Sequence, residues 1–273
     1  MSEAGPRTGG GDPARTLALL WRRGTGEPRR GPARGLSIDA IVDAAIALAD
    51  AEGLDTLTMR RVAQTLGVAP MTLYTYVPGK AELLDLMLDA LYARSGEDTP
   101  PQAPRKPRAT ARNGAWRARL AAIAQQNRAL FAAHPWAATI STVRPPLGPG
   151  LLAKYERELR AFEGLGLTDV EMDAALTFLL AFVRSSALAD AAARAARGSQ
   201  PDDTQWWEAS APLLAELADA DAYPTATRVG TAAGAAYGAA YDPDYAYRFG
   251  LERVLDGLAA LIARRSPGSR SGG

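Results

Sequence analysis

With 273 residues and a formal net charge of +1, the chain is long enough for two domains and offers no compositional case for nucleic-acid binding. It has no Cys, which excludes disulfides and thiolate metal sites, and a single His, His134, which excludes a histidine-rich metal centre. Hydrophobic residues make up 47% but aromatics only 7%, so a core of small aliphatic side chains on helical spacing is expected, an all-α fold.

Residues 1–36 carry seven arginines against Glu3, Asp12 and Glu27, a formal +4, among Gly and Pro clusters. This composition predicts a largely disordered basic arm. The exception is 13–23, PARTLALLWRR, where Leu17, Leu20 and Trp21 share one face of a short helix. Order is expected from Ser37, an N-cap with Asp39 in the first turn. Ile38, Ile41, Val42, Ala45, Leu48 and Ala49 then follow helical spacing up to Gly53. Thr58 caps a helix that turns inward on Val62 and Leu66 and ends at Gly67. A third helix spans 69–76, Pro78-Gly79 breaks the chain, and a fourth spans 80–94. The fourth is apolar over most of its circumference, as a connector between two domains would be.

A Pro-rich linker, 95–110, separates this 37–94 unit from a larger helical region, 111–265, and a disordered tail is expected over 266–273. Helices are predicted near 111–134, 135–142, 149–165, 168–197, 202–220 and 243–265. Thr168 and Glu171 form a capping box, and Asp242-Pro243 is a cap with Pro at the first helical position. The Gly/Ala/Tyr segment 222–241 is expected to be a mobile loop. No run of about 18 apolar residues and no secretory pattern is visible, so no membrane span and a cytoplasmic location are expected.

Residues 58–80, TMRRVAQTLGVAPMTLYTYVPGK, read as two short helices joined at a tight turn near Gly67, the geometry of a helix-turn-helix. Pro70, Met71 and Thr72 stand at the leading edge of the second helix. There Thr72 can hydrogen-bond a base or a phosphate and Met71 can meet a thymine methyl. Tyr74 and Tyr76 offer hydroxyls to phosphates. Lys80 adds its charge to the positive end of the next helix, and Arg60 opens the preceding one. Taken singly, Tyr74 and Tyr76 fit equally well as core residues of a small helical domain. Together, cap, Gly turn, Thr-Leu-Tyr-x-Tyr and Lys at this spacing favour the DNA reading.

Residues 37–92 resemble the DNA-binding domain of the tetracycline-repressor (TetR) family. The resemblance rests on IDAIVDAAIALADAEG and LTMRRVAQTLGVAPMTLYTYVPGKAELLDLML, with LGV, TLY-x-Y and the downstream Lys in register. It implies a homodimer with a three-helix DNA-binding head and a helical ligand-binding body, acting as a repressor released from a palindromic operator by a small-molecule effector. Carried over by position, Met59, Arg60, Pro70, Met71, Thr72, Tyr74, Thr75, Tyr76 and Lys80 are the candidate DNA contacts. Met59 departs from the small hydroxyl residue usual in the family. Over 111–265 the likeness is architectural, and AAHPW with Trp116 upstream is similar to the TetR-type C-terminal subgroup.

One quantity opposes this reading. Residues 37–95 hold eight carboxylates against Arg60, Arg61, Lys80 and Arg94, a formal −4, whereas phosphate neutralisation normally dominates affinity for DNA. The arm is the expected source of the missing attraction, through Arg29, Arg30 and Arg34 at the minor groove, with an inert solvated tail as the even alternative.

In the body, Tyr247, Leu251, Val254, Leu255, Leu258, Leu261 and Ile262 form one apolar stripe, and Leu176, Leu179, Leu180 and Val183 another. Both are expected at a dimer seam in preference to an intrachain core. Gly250 and Gly257 permit close helix approach. Trp116, Phe131, His134, Trp136, Tyr155, Phe178, Arg184, Trp206 and Trp207 are candidate effector contacts, each equally able to be core. Arg184, inside an apolar run, must be paired or reach solvent. Asp202-Asp203 resembles an aspartate-rich metal motif, but Trp206 occupies the place of the third Asp. With no phosphate loop and no nucleophile elbow, neither a cofactor nor catalysis is expected. A regulator without an effector and a helical protein-binding module remain as alternatives.

Overall fold

The computed structural model describes residues 8–23, 36–96, 115–140, 144–197 and 203–265, and within these every regular element is helical. Arg29, Arg30 and Arg34, most of the linker, Asp202 and the 266–273 tail lie outside the described residues.

The N-terminal unit is built from α2 (Ile38–Glu52), α3 (Met59–Thr65), α4 (Pro70–Tyr76) and α5 (Lys80–Arg94). The caps are those the sequence specifies. Ser37 Oγ accepts from Ala40 N at 3.1 Å, and Thr58 Oγ1 accepts from Arg61 N at 3.2 Å. Gly67, at φ 67°, ends α3 in a Schellman turn, with Val68 N donating to Ala63 O and Gly67 N donating to Gln64 O. That turn swings α4 across α3. Leu73 and Val77, one helical turn apart, are fully buried and anchor it. Ile41, Val42, Val62, Leu83 and Met87 fill the core beneath.

The body comprises α6 (Ala115–Ala133), α7 (Pro135–Thr139), α8 (Pro149–Leu159), α9 (Asp169–Arg197), α10 (Asp203–Leu217), α11 (Pro224–Tyr237) and α12 (Pro243–Arg265). The Thr168–Glu171 capping box is formed in both directions, and Asp242 Oδ1 accepts from Asp244 N and Tyr245 N. Helix α9 is long and apolar enough to cross a membrane by length and composition. Here it packs against α6, α7 and α12.

Three expectations are corrected. Segment 222–241 is not a loop, because α11 spans most of it. Pro224 starts that helix, five alanines favour it, and Gly238 stops it in the left-handed conformation. Gly234 adds a packing reason: a Cβ there would stand 2.7 Å from the Trp207 ring. The apolar stripes of α9 and α12 face each other within one chain, with Leu176, Leu179, Val183, Val254, Leu255 and Leu258 all buried. Gly250 lets α12 close on the Phe182 ring, whereas Gly257 faces open space. Lastly, the short helix expected within 13–23 forms, but with a different inner face. Residues 8–23 include α1 (Pro13–Leu20), capped by Asp12, with Leu19 and Leu20 buried against α5. Leu17 and Trp21, predicted to share its inner face, are the more exposed.

Helix α5 joins the two units. Its outer flank packs on α8, and three buried carboxylates, Glu82, Asp85 and Asp89, interrupt its apolar surface. Asp89 accepts from Gly150 N at 3.2 Å and Leu151 N at 2.8 Å, satisfying the first turn of α8. Asp85 accepts from Gly9 N at 3.1 Å. Burial pushes the Asp85 carboxyl up to about 6, with Glu82 adding to the rise and the Gly9 bond opposing it. A carboxyl raised in the folded state stabilises the fold fully below its unfolded value and loses that contribution as pH climbs through about 6. Asp85→Asn keeps an acceptor for Gly9 and carries no charge. The variant is expected to gain about 1 kcal/mol at pH 7.5, after discounting for solvent screening at the seam, and nothing at pH 4. Thermal melts across that range check it. A variant less stable at pH 7.5 would show that the ionised carboxylate is worth more than its burial costs.

Candidate nucleic-acid interface and effector body

The exposed face of α4 is the functional surface the sequence marks. Its seven residues present Pro70, Met71, Thr72, Tyr74, Thr75 and Tyr76 outward, with Met71 74% and Tyr74 41% exposed. Leu73 faces the core, as does Val77 just beyond the helix. The Thr75 hydroxyl bonds back to Thr72 O at 2.6 Å, whereas Thr72 stands outward at the leading turn. Arg60 is exposed on the first turn of α3 and makes no ion pair among the described residues. Lys80 opens α5, where Gly79 supplies no side-chain cap, and its Nζ donates to Leu54 O at 3.3 Å. Met59 departs from this pattern. It is the first residue of α3 and its side chain is only 6% exposed, held in the core, so only its backbone borders the surface.

Most carboxylates of this unit have partners. Asp43 pairs with Arg94 and Glu52 with Arg61. Asp39 pairs with Arg22 of the arm. Asp85 and Asp89 are consumed by main-chain amides of residue 9 and of α8. Asp50 Oδ1, near the end of α2, accepts from Trp136 Nε1 at 2.6 Å and sits 2.8 Å from His134 Nδ1. Thus six of the eight acids are engaged by partners, two of them by arginines already counted in the formal −4 and one by Arg22 from outside the segment.

The candidate effector residues are not brought together. His134 and Trp136 belong to the joint between head and body, where they hold Asp50. Trp116 and Phe131 are buried core residues. Arg184 donates to Ala138 O and Ile140 O, both at 2.8 Å, and so caps the end of α7. Phe178 and Trp206 are more than half exposed, and Trp207 rests on Gly234. Tyr155 lines a cleft of about 210 Å³ between α8 and the start of α9, with Glu156, Leu159, Arg160, Glu163, Asp169 and Met172. Its hydroxyl donates to Asp173 Oδ1 at 2.7 Å.

The sequence reading missed a buried polar cluster. Lys154 Nζ donates to both oxygens of Glu158 at 2.6 and 2.8 Å, and Asn127 Nδ2 donates to Glu158 Oε1 at 2.7 Å. The ammonium lies 5.4 Å from the Tyr92 ring centroid, and Tyr92 belongs to α5. Burial lowers the Lys154 pKa, against the pull of Glu158, and pushes the Tyr92 hydroxyl up to about 12. The i, i+4 spacing of Lys154 and Glu158 was the available signal, but that spacing is commonplace on solvated helix faces.

Comparison with known proteins agrees with this architecture. The family model described as "Bacterial regulatory proteins, tetR family" matches residues 41–87, and "Tetracyclin repressor-like, C-terminal domain" matches 107–262. The HTH-type transcriptional repressor DrrR1 of Streptomyces coeruleorubidus is 39% identical over 260 residues, covering 94% of this chain and 90% of that protein. The tetracycline repressor protein class A from transposon 1721, of Escherichia coli, is 27% identical over 87% of this chain and 98% of its own. Among solved structures, ActR of Streptomyces coelicolor in complex with actinorhodin superposes with a TM-score of 0.66 at 28% identity, over 84% of this chain and 99% of that one. From its helix-turn-helix head to its helical body, the chain belongs to the tetracycline-repressor family of DNA-binding transcriptional regulators, and is not an enzyme.

Proposed function

We propose that the protein is a cytoplasmic homodimeric repressor that grips a palindromic operator with one α4 per subunit and leaves it when a small molecule occupies the body. The observation that carries this reading is the outward face of α4, with Thr72, Tyr74 and Tyr76 exposed over a buried Leu73–Val77 anchor and Lys80 beside them. Thr72 and Met71 approach base edges, while Tyr74, Tyr76, Lys80 and Arg60 hold phosphates. Pro70 sets the entry of α4, and Thr75 and the Met59 backbone flank the contact. Two such helices reach successive major grooves when a two-fold axis places them roughly 34–36 Å apart.

The dimer is supported by what α9 and α12 leave uncovered. Phe178, Tyr245 and Phe249 are each about half exposed, and Tyr245 stacks on Phe249 with ring centroids 6.3 Å apart. A stripe of this kind is unusual on a monomer surface and suits an isologous contact. An effector role for the body is supported by ActR, which has been solved in complex with actinorhodin and with (S)-DNPA.

Selection from a random duplex library is expected to return a palindrome with half-sites about one helical turn apart, bound by two chains per duplex in sedimentation. Failure to select any motif, or one chain per duplex, overturns the reading.

A further inference from the structure

Residues 8–23 of the arm touch both units of the chain. On the head side, Arg22 Nη2 donates to Asp39 at the start of α2, Gly9 N donates to Asp85 of α5, and Leu19 and Leu20 are buried against α5. On the body side, Thr8 Oγ1 donates to Arg144 O, and Trp21 Nε1 donates to Leu147 O at 2.9 Å. Both carbonyls lie in the loop that leads into α8, whose first turn Asp89 of α5 already holds.

Local sequence makes this approach possible. Gly9 has φ 65°, and a Cβ on it would lie 2.7 Å from Arg144 Cβ. A Cβ on Gly10 would lie 3.4 Å from Ala81 Cβ, and one on Gly11 would overlap the Glu82 carboxylate. Gly9 therefore lies flush against the 144–148 loop, where a side chain would hold the segment off, while Gly10 and Gly11 follow close beside Ala81 and Glu82 of α5. A head that tilts with α5 against α8 must break either the arm's bonds to the body, Thr8–Arg144 and Trp21–Leu147, or its hold on the head, Arg22–Asp39 and Gly9–Asp85, the latter uncovering Leu19 and Leu20.

We propose that residues 8–23 are an intramolecular clasp that fixes the orientation of the head on the body and thereby sets the half-site spacing the repressor accepts. The second part rests on the dimeric DNA reading above; the first does not. In this arrangement Gly9, Trp21 and Arg22 are positioning residues. They touch no DNA and act through α2 and α5, which carry the helix-turn-helix.

The test compares the full chain with Gly9→Val/Trp21→Ala and with a chain lacking residues 1–23. Each is titrated with the selected palindrome and with duplexes whose spacer is one or two base pairs longer or shorter. One base pair rotates a half-site by roughly 34°, so the full chain is expected to lose about tenfold or more in affinity per step. The clasp variants are expected to lose less than about threefold across the same series, because a loosened head re-aims. Hydrogen exchange, read without DNA, is expected to rise about tenfold in 80–94 and 144–151 of the variants and to stay unchanged in α6, α9 and α12. Unchanged exchange in those two segments overturns the clasp whatever the DNA result. Raised exchange with an unaltered spacing profile overturns its role in spacing. A full chain that binds no duplex overturns the dimeric DNA reading and the spacing role together, and leaves exchange to decide the clasp.

Discussion

Tyr74→Ala combined with Lys80→Ala is expected to weaken operator binding by at least about a thousandfold while leaving the melting temperature within about 3 °C. Tyr74 is 41% exposed and Lys80 is partly exposed, so neither supports the core. The only described hydrogen bond at risk is that from Lys80 Nζ to Leu54 O, at 3.3 Å, on the turn after α2. Each head loses one phenol hydroxyl and one ammonium, and a two-headed complex loses four contacts. At about 1–1.5 kcal/mol for each phosphate contact, the sum is about 4–6 kcal/mol, a factor of about 10³–10⁴. The loss is expected to be uniform across operator sequences, with the salt slope shallower by about two, since phosphate contacts carry no base information. Thr72→Ala gives the contrasting pattern, a smaller loss concentrated at one base position. Binding by the double variant within tenfold of the native protein would remove Tyr74 and Lys80 from the interface. Tyr74→Phe separates the hydroxyl from the ring.

This prediction draws on the part of the molecule most legible in the sequence, and the reason is range. Ser37, Thr58, Thr168 with Glu171, and Asp242 each satisfy amides two or three residues away, so their chemistry and their position are read together. The Gly67 turn is equally local. Legibility fails where a residue's partner is far along the chain. Asp50 looked like one more acid on a surface helix, yet it holds two body residues 84 and 86 positions away. Thr8 and Trp21 reach 136 and 126 positions to main-chain carbonyls that no pattern announces. The Gly/Arg composition of the arm reads as a DNA-seeking basic arm or a solvated tail until the seam that accepts Gly9 is known. The aromatic set proposed for the effector is scattered for a different reason. Aromatic identity predicts burial or adhesion, not which cavity, and Trp116, Trp136 and Trp206 ended in a core, a joint and an exposed face.

Removing the carboxylate at position 158 is expected to be the most damaging single change in the body. In Glu158→Ala the Lys154 ammonium, whose side chain is only 9% exposed, keeps its position without a counter-charge, and Asn127 Nδ2 loses its 2.7 Å acceptor. Breaking a buried pair by deleting one partner costs about 3–5 kcal/mol, which for a chain of this size lowers the melting temperature by about 6–15 °C. Lys154 already has its pKa depressed by burial, with Glu158 the chief opposing influence. Without Glu158 it is expected to fall further, so the deficit should be larger in acid than in alkali. Replacing both partners, Lys154→Met with Glu158→Leu, separates charge from packing. The apolar pair fills a similar volume and leaves Asn127 its bond to Ile123 O at 2.9 Å. Its stability is expected to lie within about 1–2 kcal/mol of the native chain, or above it. A double variant as unstable as Glu158→Ala alone would mean that the ion pair itself holds α8 against α6 and Tyr92. In that case the cluster, and not the apolar seam around it, fastens the connector helix to the body.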